Sequence, residues 1–186
     1  MRVIGGLWRG RVIAAPPGRE TRPTSDRVRE AVFSSVYSLL GPIDGVRAVD
    51  LYAGSGAMGI EALSRGAAHV TFVDDHRGAC SVITRNLSGL GADEASLRVV
   101  CTDAARSSAL LAGYGASLLF ADPPYRIDAS QVCKVLESHG RSGSLRTGAL
   151  VVYEHAGQEF QWPRGFIGVS MKRYGDTSVS FARYEG

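Results

Sequence analysis

Lysine is almost missing from this chain: of its 21 basic residues only Lys134 and Lys172 are lysines, and the rest are arginines. Cysteine is scarce too. Cys80, Cys101 and Cys133 form an odd set with no paired spacing, which argues against a disulfide framework or a zinc site and reads as reduced, buried thiols. His69, His76, His139 and His155 show no ligand spacing, so no metal is expected. No apolar run approaches the roughly 20 residues needed to span a bilayer. Met1 to Gly6 lack the apolar stretch of a secretory signal. The expectation is a cytoplasmic protein with no membrane partner. Neither an internal repeat nor a low-complexity tract is present.

What remains is the composition of an ordinary folded domain, 45% hydrophobic and 21% charged over 186 residues. That length suits one compact domain with a short appendage. The charge is unevenly spread. Residues 1–30 hold seven arginines against Glu20, Asp26 and Glu30, so all of the net positive charge of the chain, +3, resides in this segment. A basic arm on a nearly neutral body points to a polyanionic partner such as nucleic acid.

Residues 2–4 and 11–14 are strand-like runs around a Gly-rich loop carrying Trp8 and Arg9, which predicts a β-hairpin. Pro16-Pro17-Gly18 and Arg22-Pro23 then break regular structure. Thr24 or Ser25 can cap a helix whose apolar positions, Val28, Ala31, Val32, Val36, Leu39 and Leu40, recur at helical spacing. From residue 46 short apolar runs alternate with helical segments. Strands are predicted near 46–51, 69–74, 97–101, 117–121 and 149–153, and helices near 57–65, 77–90, 104–111 and 129–139. This alternation gives an α/β fold, a mostly parallel Rossmann-like sheet with helices on both faces. Two further strand-like stretches, 166–173 and 177–184, flank Tyr174-Gly175-Asp176 and predict an antiparallel C-terminal hairpin. The expected division is an arm over residues 1–23 and a catalytic domain over residues 24–186.

The sequence Asp50-Leu51-Tyr52-Ala53-Gly54-Ser55-Gly56-Ala57-Met58-Gly59 places a G-x-G-x-x-G between the first parallel strand and a helix. Glycines there allow a tight turn and close approach of a ligand to bare backbone, and the helix start offers unpaired amides. Asp74, 20 residues beyond Gly54, ends the next strand, where a carboxylate can accept from ribose hydroxyls. A dinucleotide and S-adenosylmethionine both fit this pattern. Asp50 favours the second, because a carboxylate beside a diphosphate is a like-charge contact, whereas it can accept from the ammonium of a methionine moiety. Its alternative role is a structural hydrogen-bond acceptor. Asp103, after the third strand and next to Ala104, can accept from an adenine amino group or cap the following helix.

The fourth strand runs into Asp122-Pro123-Pro124-Tyr125. Two prolines fix their φ angles and remove two amide donors, giving a stiff loop at the crevice where open α/β sheets bind ligands. The exocyclic amine of a nucleobase is a poor nucleophile because its lone pair is conjugated with the ring. Accepting its hydrogens on the Asp122 carboxylate and the Pro123 carbonyl favours a pyramidal nitrogen, and Tyr125 can stack on the base. The alternative is a simple strand-ending turn.

These residues resemble a class I methyltransferase, and Asp122-Pro123-Pro124-Tyr125 resembles the signature of amino-group methyltransferases acting on bases or glutamine. Ile4 to Arg11, Arg22-Pro23-Thr24-Ser25-Asp26-Arg27-Val28-Arg29-Glu30, the glycine loop, and Glu61 to Gly66 resemble the bacterial RsmD family over essentially the whole chain. The resemblance implies methylation of the 2-amino group of one guanine in 16S rRNA within a partly or fully assembled small ribosomal subunit. It also implies S-adenosylmethionine contacts from Ala53, Gly54, Ser55, Gly56, Asp74 and Asp103, and catalysis by Asp122 through Tyr125. The segment from Arg22 to Arg27 is implied to lie over the active site. Relatives often carry Glu at position 74 and some carry Phe at position 125.

A methyltransferase core occupies most of residues 44–186, which leaves no room for a separate sequence-reading domain. The target is therefore expected to be specified mainly by its folded shape, as RNA within a ribosomal subunit is. Arg2, Arg9 and Arg11, with Arg19, Arg22 and Arg27 in support, are the candidate phosphate contacts, and Trp8 a stacking contact or a core residue. The alternatives are methylation of adenine or a protein glutamine, a non-catalytic RNA-binding assembly factor, and a dinucleotide oxidoreductase.

Overall fold

Strands buried on both faces organise the molecule. In the computed structural model, which describes residues 1–16, 26–124, 126–157 and 159–186, β1 (Arg47–Leu51) is an apolar run whose Ala48, Val49 and Leu51 are fully buried. Such a run suits the centre of a parallel sheet covered on both sides. β1 pairs in parallel with β2 (His69–Asp74) on one side and β4 (Ala116–Ala121) on the other. β3 (Leu97–Cys101) extends the first side and β5 (Leu145–Ala156) the second. Then β7 (Thr177–Tyr184) inserts antiparallel between β5 and β6 (Phe166–Tyr174), so the seven strands run in the order β3-β2-β1-β4-β5-β7-β6.

Helices cover the two faces. α1 (Asp26–Leu40), α2 (Ala57–Ser64) and α3 (Arg77–Leu90) pack Val32, Phe33, Val36, Ile60, Ile83 and Leu87 onto one face. α4 (Ala104–Leu110) and α5 (Ala129–Arg141) cover the other with Ala104, Val132, Val135 and Leu136. Local signals set the helix ends. Asp128 and Gln131 form a reciprocal capping box on α5, Asp103 accepts from Ala105 N at the start of α4, and Gly91 closes α3 in a left-handed conformation.

The predicted order of strands and helices is the observed one, with three differences. β5 reaches Leu145 and Ala156 because pairing with β4 and β7 recruits flanking polar residues that carry no strand signal of their own. The N-terminal hairpin is reduced to one antiparallel bridge, Arg2 to Val12, flanked by Val3 N to Arg11 O and Ile13 N to Met1 O. Cys80 is buried but Cys101 is exposed, since it ends the edge strand β3 where burial is incomplete. The expected cap at Thr24 or Ser25 lies outside the described residues. No helix among the described residues is long and apolar enough to cross a membrane.

Candidate active site

The sheet order reverses between β1 and β4: β1 leads outward to β2, and β4 outward to β5. Loops leaving the carboxyl ends of such a strand pair splay apart and open a crevice. Leu51 is level with Ala121, and Ala121 with Tyr153. The glycine loop after β1 and Asp122-Pro123-Pro124 after β4 therefore start side by side, with Asp122 exposed and both prolines half-buried.

Three carboxylates shape the loop side. Asp74, at the end of β2, accepts from Gly54 N and His76 N, both at 2.9 Å, so it ties the glycine loop to the start of α3. Asp50 lies beneath the loop, only 3% exposed, and its Oδ2 accepts from Gly59 N at 2.8 Å. Gly56, the residue preceding α2, offers no side-chain cap; Asp50 supplies an acceptor from the strand instead. Burial pushes the Asp50 carboxyl up to about 8, against the Gly59 hydrogen bond, with the charge of Asp74 adding to the rise. Asp103 is the cap of α4 and reaches the crevice edge.

Between these loops lies a small pocket lined by Tyr52, Val73, Asp74, Asp75, Asp103, Ala104, Pro124, Arg126 and Ile127. Apolar surface from Val73, Ala104, Pro124 and Ile127 faces carboxylate acceptors, the combination a nucleoside requires. Arg126 and Asp75 form an ion pair at 3.6 Å between its two sides. Tyr52 holds a left-handed backbone at φ 59, a strained conformation for a bulky residue and one that clusters at functional sites. Burial, then the charges of Asp103, Tyr153 and Asp75, pushes its hydroxyl up to about 12.

The arm docks on the outer side of α2. Glu61, 1% exposed, accepts from Ile4 N and Gly5 N, each at 2.8 Å, and from Arg65. Ser64 Oγ accepts from Trp8 N and donates to Gly5 O. Arg29, as deeply buried as Glu61, donates to Arg2 O and pairs with Asp26 at 2.9 Å. Gly6 passes so close that a Cβ there would lie 1.8 Å from Ser64 O.

Of the expected site residues, Asp74, Asp103, Ala104 and Pro124 line the pocket; Ala53, Gly54, Ser55 and Gly56 follow β1, with Asp50 on the strand beneath them, and Asp122 and Pro123 follow the neighbouring β4. Arg2, Arg9, Arg11 and Arg27 are exposed on the arm and α1. Trp8 is half-buried and packed against the core. Tyr125, Arg19 and Arg22 lie outside the described residues. Sequence reasoning missed Tyr52, Asp75, Arg126 and Ile127 on the pocket wall and Glu61 as the anchor of the arm. Tyr52 stands within the glycine-loop stretch, Glu61 within Glu61 to Gly66, and Asp75 beside Asp74, but no spacing marks the contacts they make.

The family model described as Conserved hypothetical protein 95 matches residues 1–183. Over 141 residues the chain is 38% identical to Ribosomal RNA small subunit methyltransferase D of Escherichia coli (strain K12), covering 75% of this chain and 68% of that protein. Over 192 residues it is 36% identical to the "Putative rRNA methyltransferase YlbH" of Bacillus subtilis (strain 168), covering 100% of both. A solved structure, "Putative methyltransferase yhhF from Escherichia coli", aligns with a TM-score of 0.81 at 31% identity, covering 100% of this chain and 98% of that one.

Proposed function

Since the chain belongs to the RsmD family, matched from residue 1 to residue 183, we propose that it is an S-adenosylmethionine-dependent methyltransferase of small-subunit ribosomal RNA whose target is the exocyclic 2-amino group of a guanine in 16S rRNA. The observation that carries the reading is the juxtaposition, on neighbouring strands β1 and β4, of the glycine loop and Asp122-Pro123-Pro124. The residues present suit the cofactor. Gly54 and Gly56 hold left-handed turns at φ 58 and 80, and a Cβ on Gly56 would come within 3.2 Å of Ile83. Asp74 and Asp103 border a pocket in which Val73, Ala104, Pro124 and Ile127 offer apolar surface for a purine. When bound, S-adenosylmethionine supplies a methyl group on a cationic sulfur.

In this reading Asp74 holds the ribose, Asp103 and Ala104 border the adenine, and residues 53–56 and Asp50 shape the seat of the methionine end. The Asp122 carboxylate and the Pro123 carbonyl accept the two amine hydrogens of guanine and turn its lone pair toward the cofactor side. Tyr125 stacks on the base. The proton that the nitrogen must lose is taken up at the Asp122 carboxylate after methyl transfer. Fixing the two reactants in line is worth up to about 7–11 kcal/mol in an ideal geometry. Arg2, Arg9, Arg11, Arg19 and Arg22 of the arm, with Arg27 of α1, grip RNA phosphates, and the target guanine leaves its stack to reach Asp122.

The test is to incubate the protein with labelled S-adenosylmethionine and small ribosomal subunits from cells lacking this gene, digest the RNA and identify the labelled nucleoside. Label in 2-methylguanosine at one site is expected. Label in a methylated adenosine, or none, overturns the target. Asp122→Ala should lower kcat by about 10²–10⁴-fold with cofactor affinity nearly unchanged, as measured by calorimetry.

A further inference from the structure

Asn86 lies on α3, outside every contact used above, and is only 8% exposed. Its side-chain amide pairs with the backbone of the arm in both directions: Oδ1 accepts from Ala14 N and Nδ2 donates to Ala14 O, each at 2.9 Å. The same Nδ2 donates to Ser55 O, in the glycine loop, at 3.0 Å. Its two N–H groups are thus divided between two segments that are remote in sequence.

A second link runs beside it. Ser55 Oγ donates to Met1 Sδ at 3.4 Å, and Arg29 donates to that sulfur at 3.8 Å and also to Arg2 O. Ser55 is therefore joined to the arm through both its carbonyl and its hydroxyl. Of the other arm contacts, those to Glu61 and Ser64 fall on the later turns of α2, and Arg11 donates to Gly89 O at the far end of α3, away from the loop. If Ser55 moved without Ala14, a buried amide hydrogen would lose its acceptor, which is costly away from water.

We propose that Asn86 is a positioning residue that couples the arm to the glycine loop, so that cofactor binding at the loop and RNA binding at the arm strengthen each other. The proposal rests on the reading above for which ligand each segment takes. A ligand seated on the loop fixes the Ser55 carbonyl, which orients the Asn86 amide and with it Ala14, two residues before the segment that leads to α1. By linkage the effect is reciprocal: RNA that orders the arm tightens the cofactor site by the same factor.

One half of the test needs no RNA. Amide hydrogen exchange at Val3, Leu7 and Ile13, which donate to Arg11 O, Ser64 O and Met1 O, is followed with and without S-adenosylhomocysteine. In the wild type the nucleoside should slow exchange at these arm amides; in Asn86→Ala it should leave them unchanged. The other half measures the affinity of small ribosomal subunits from cells lacking the gene. S-adenosylhomocysteine should tighten wild-type binding by about fivefold or more, within the usual range of coupling, and should barely alter that of the variant. A residue that only supported the fold would shift baseline values without abolishing the response to ligand. Asn86→Asp keeps the acceptor for Ala14 N and removes both donors, so it repeats the test if the alanine variant fails to fold.

Wild-type arm amides that ignore the bound nucleoside overturn the proposal, and so do variants that keep the full response. Arm amides that respond while small subunits do not bind uphold the coupling and overturn the RNA reading. No binding of the nucleoside overturns both.

Discussion

Asp50 sits where burial and a single amide partner compete. Burial wins, and a carboxyl with an ordinary value of 3.8 is raised to about 8. A group that holds its proton more tightly when folded gives stability that is complete below its unfolded value and fades as pH rises through the folded one. The protein should therefore lose stability between about pH 4 and 8, at up to about 1.4 kcal/mol per pH unit. Asp50→Asn keeps an oxygen for Gly59 N and removes the titration. Urea unfolding at pH 5 and pH 8 should show a smaller pH dependence in the variant; equal slopes would mean that Asp50 is already ionised in the folded protein. The sequence offered Asp50 as a contact to the cofactor or as a structural acceptor, and the bond from Gly59 N matches the second; its depth was not legible, because spacing does not reveal burial.

On the scale of elements, α2 joins three functions in eight residues. Its N-terminal turn closes the glycine loop, its inner face packs on β2, and its outer face carries Glu61 and Ser64 for the arm. The inner face leaves no room at Gly59: a Cβ there would lie 2.3 Å from the Phe72 ring. Gly59→Ala should cost about 1–3 kcal/mol through overpacking, read from chemical denaturation, although alanine is the better helix former. The arm is a different case, because its candidate RNA contacts are exposed. Arg9→Ala with Arg11→Ala should weaken binding of small subunits and lower the slope of log affinity against log salt by about 2. S-adenosylmethionine affinity should be nearly unchanged by calorimetry. An equal loss of both would make these arginines folding elements, a possibility raised by the bond from Arg11 to Gly89 O.

Across the whole molecule the two faces of the sheet do separate work. The arm, α1, α2 and α3 share one face with the glycine loop, while α4 and α5 close the other around His139. That imidazole is fully buried, paired with Ser107 Oγ at 3.1 Å and Ser144 Oγ at 2.7 Å, and burial pushes it down to about 4. Because its folded value lies below the ordinary 6.5, its contribution to stability is complete above that pH and is lost as pH falls toward 4. An NMR titration should find the His139 ring neutral down to about pH 5, with unfolding on further acidification. A ring that titrates near 6.5 would show that water reaches this face.

The order of strands and helices, the glycine loop and the Asp-Pro-Pro turn followed from the sequence, because each rests on local physics: hydrophobic period, turn residues, and glycines bounded by a strand and a helix. The excess of arginine in the first 30 residues was equally visible as composition. What only the tertiary structure decided concerns groups brought together from distant parts of the chain. Glu61 reads as an ordinary helical residue until Ile4 and Gly5 arrive to donate their amides. Tyr52 carries no sign of its left-handed backbone, a conformation that a bulky side chain disfavours. Asn86 gains its meaning only where α3, the arm and the glycine loop meet, for hydrogen bonds spanning 31 and 72 positions leave no periodic trace in a sequence.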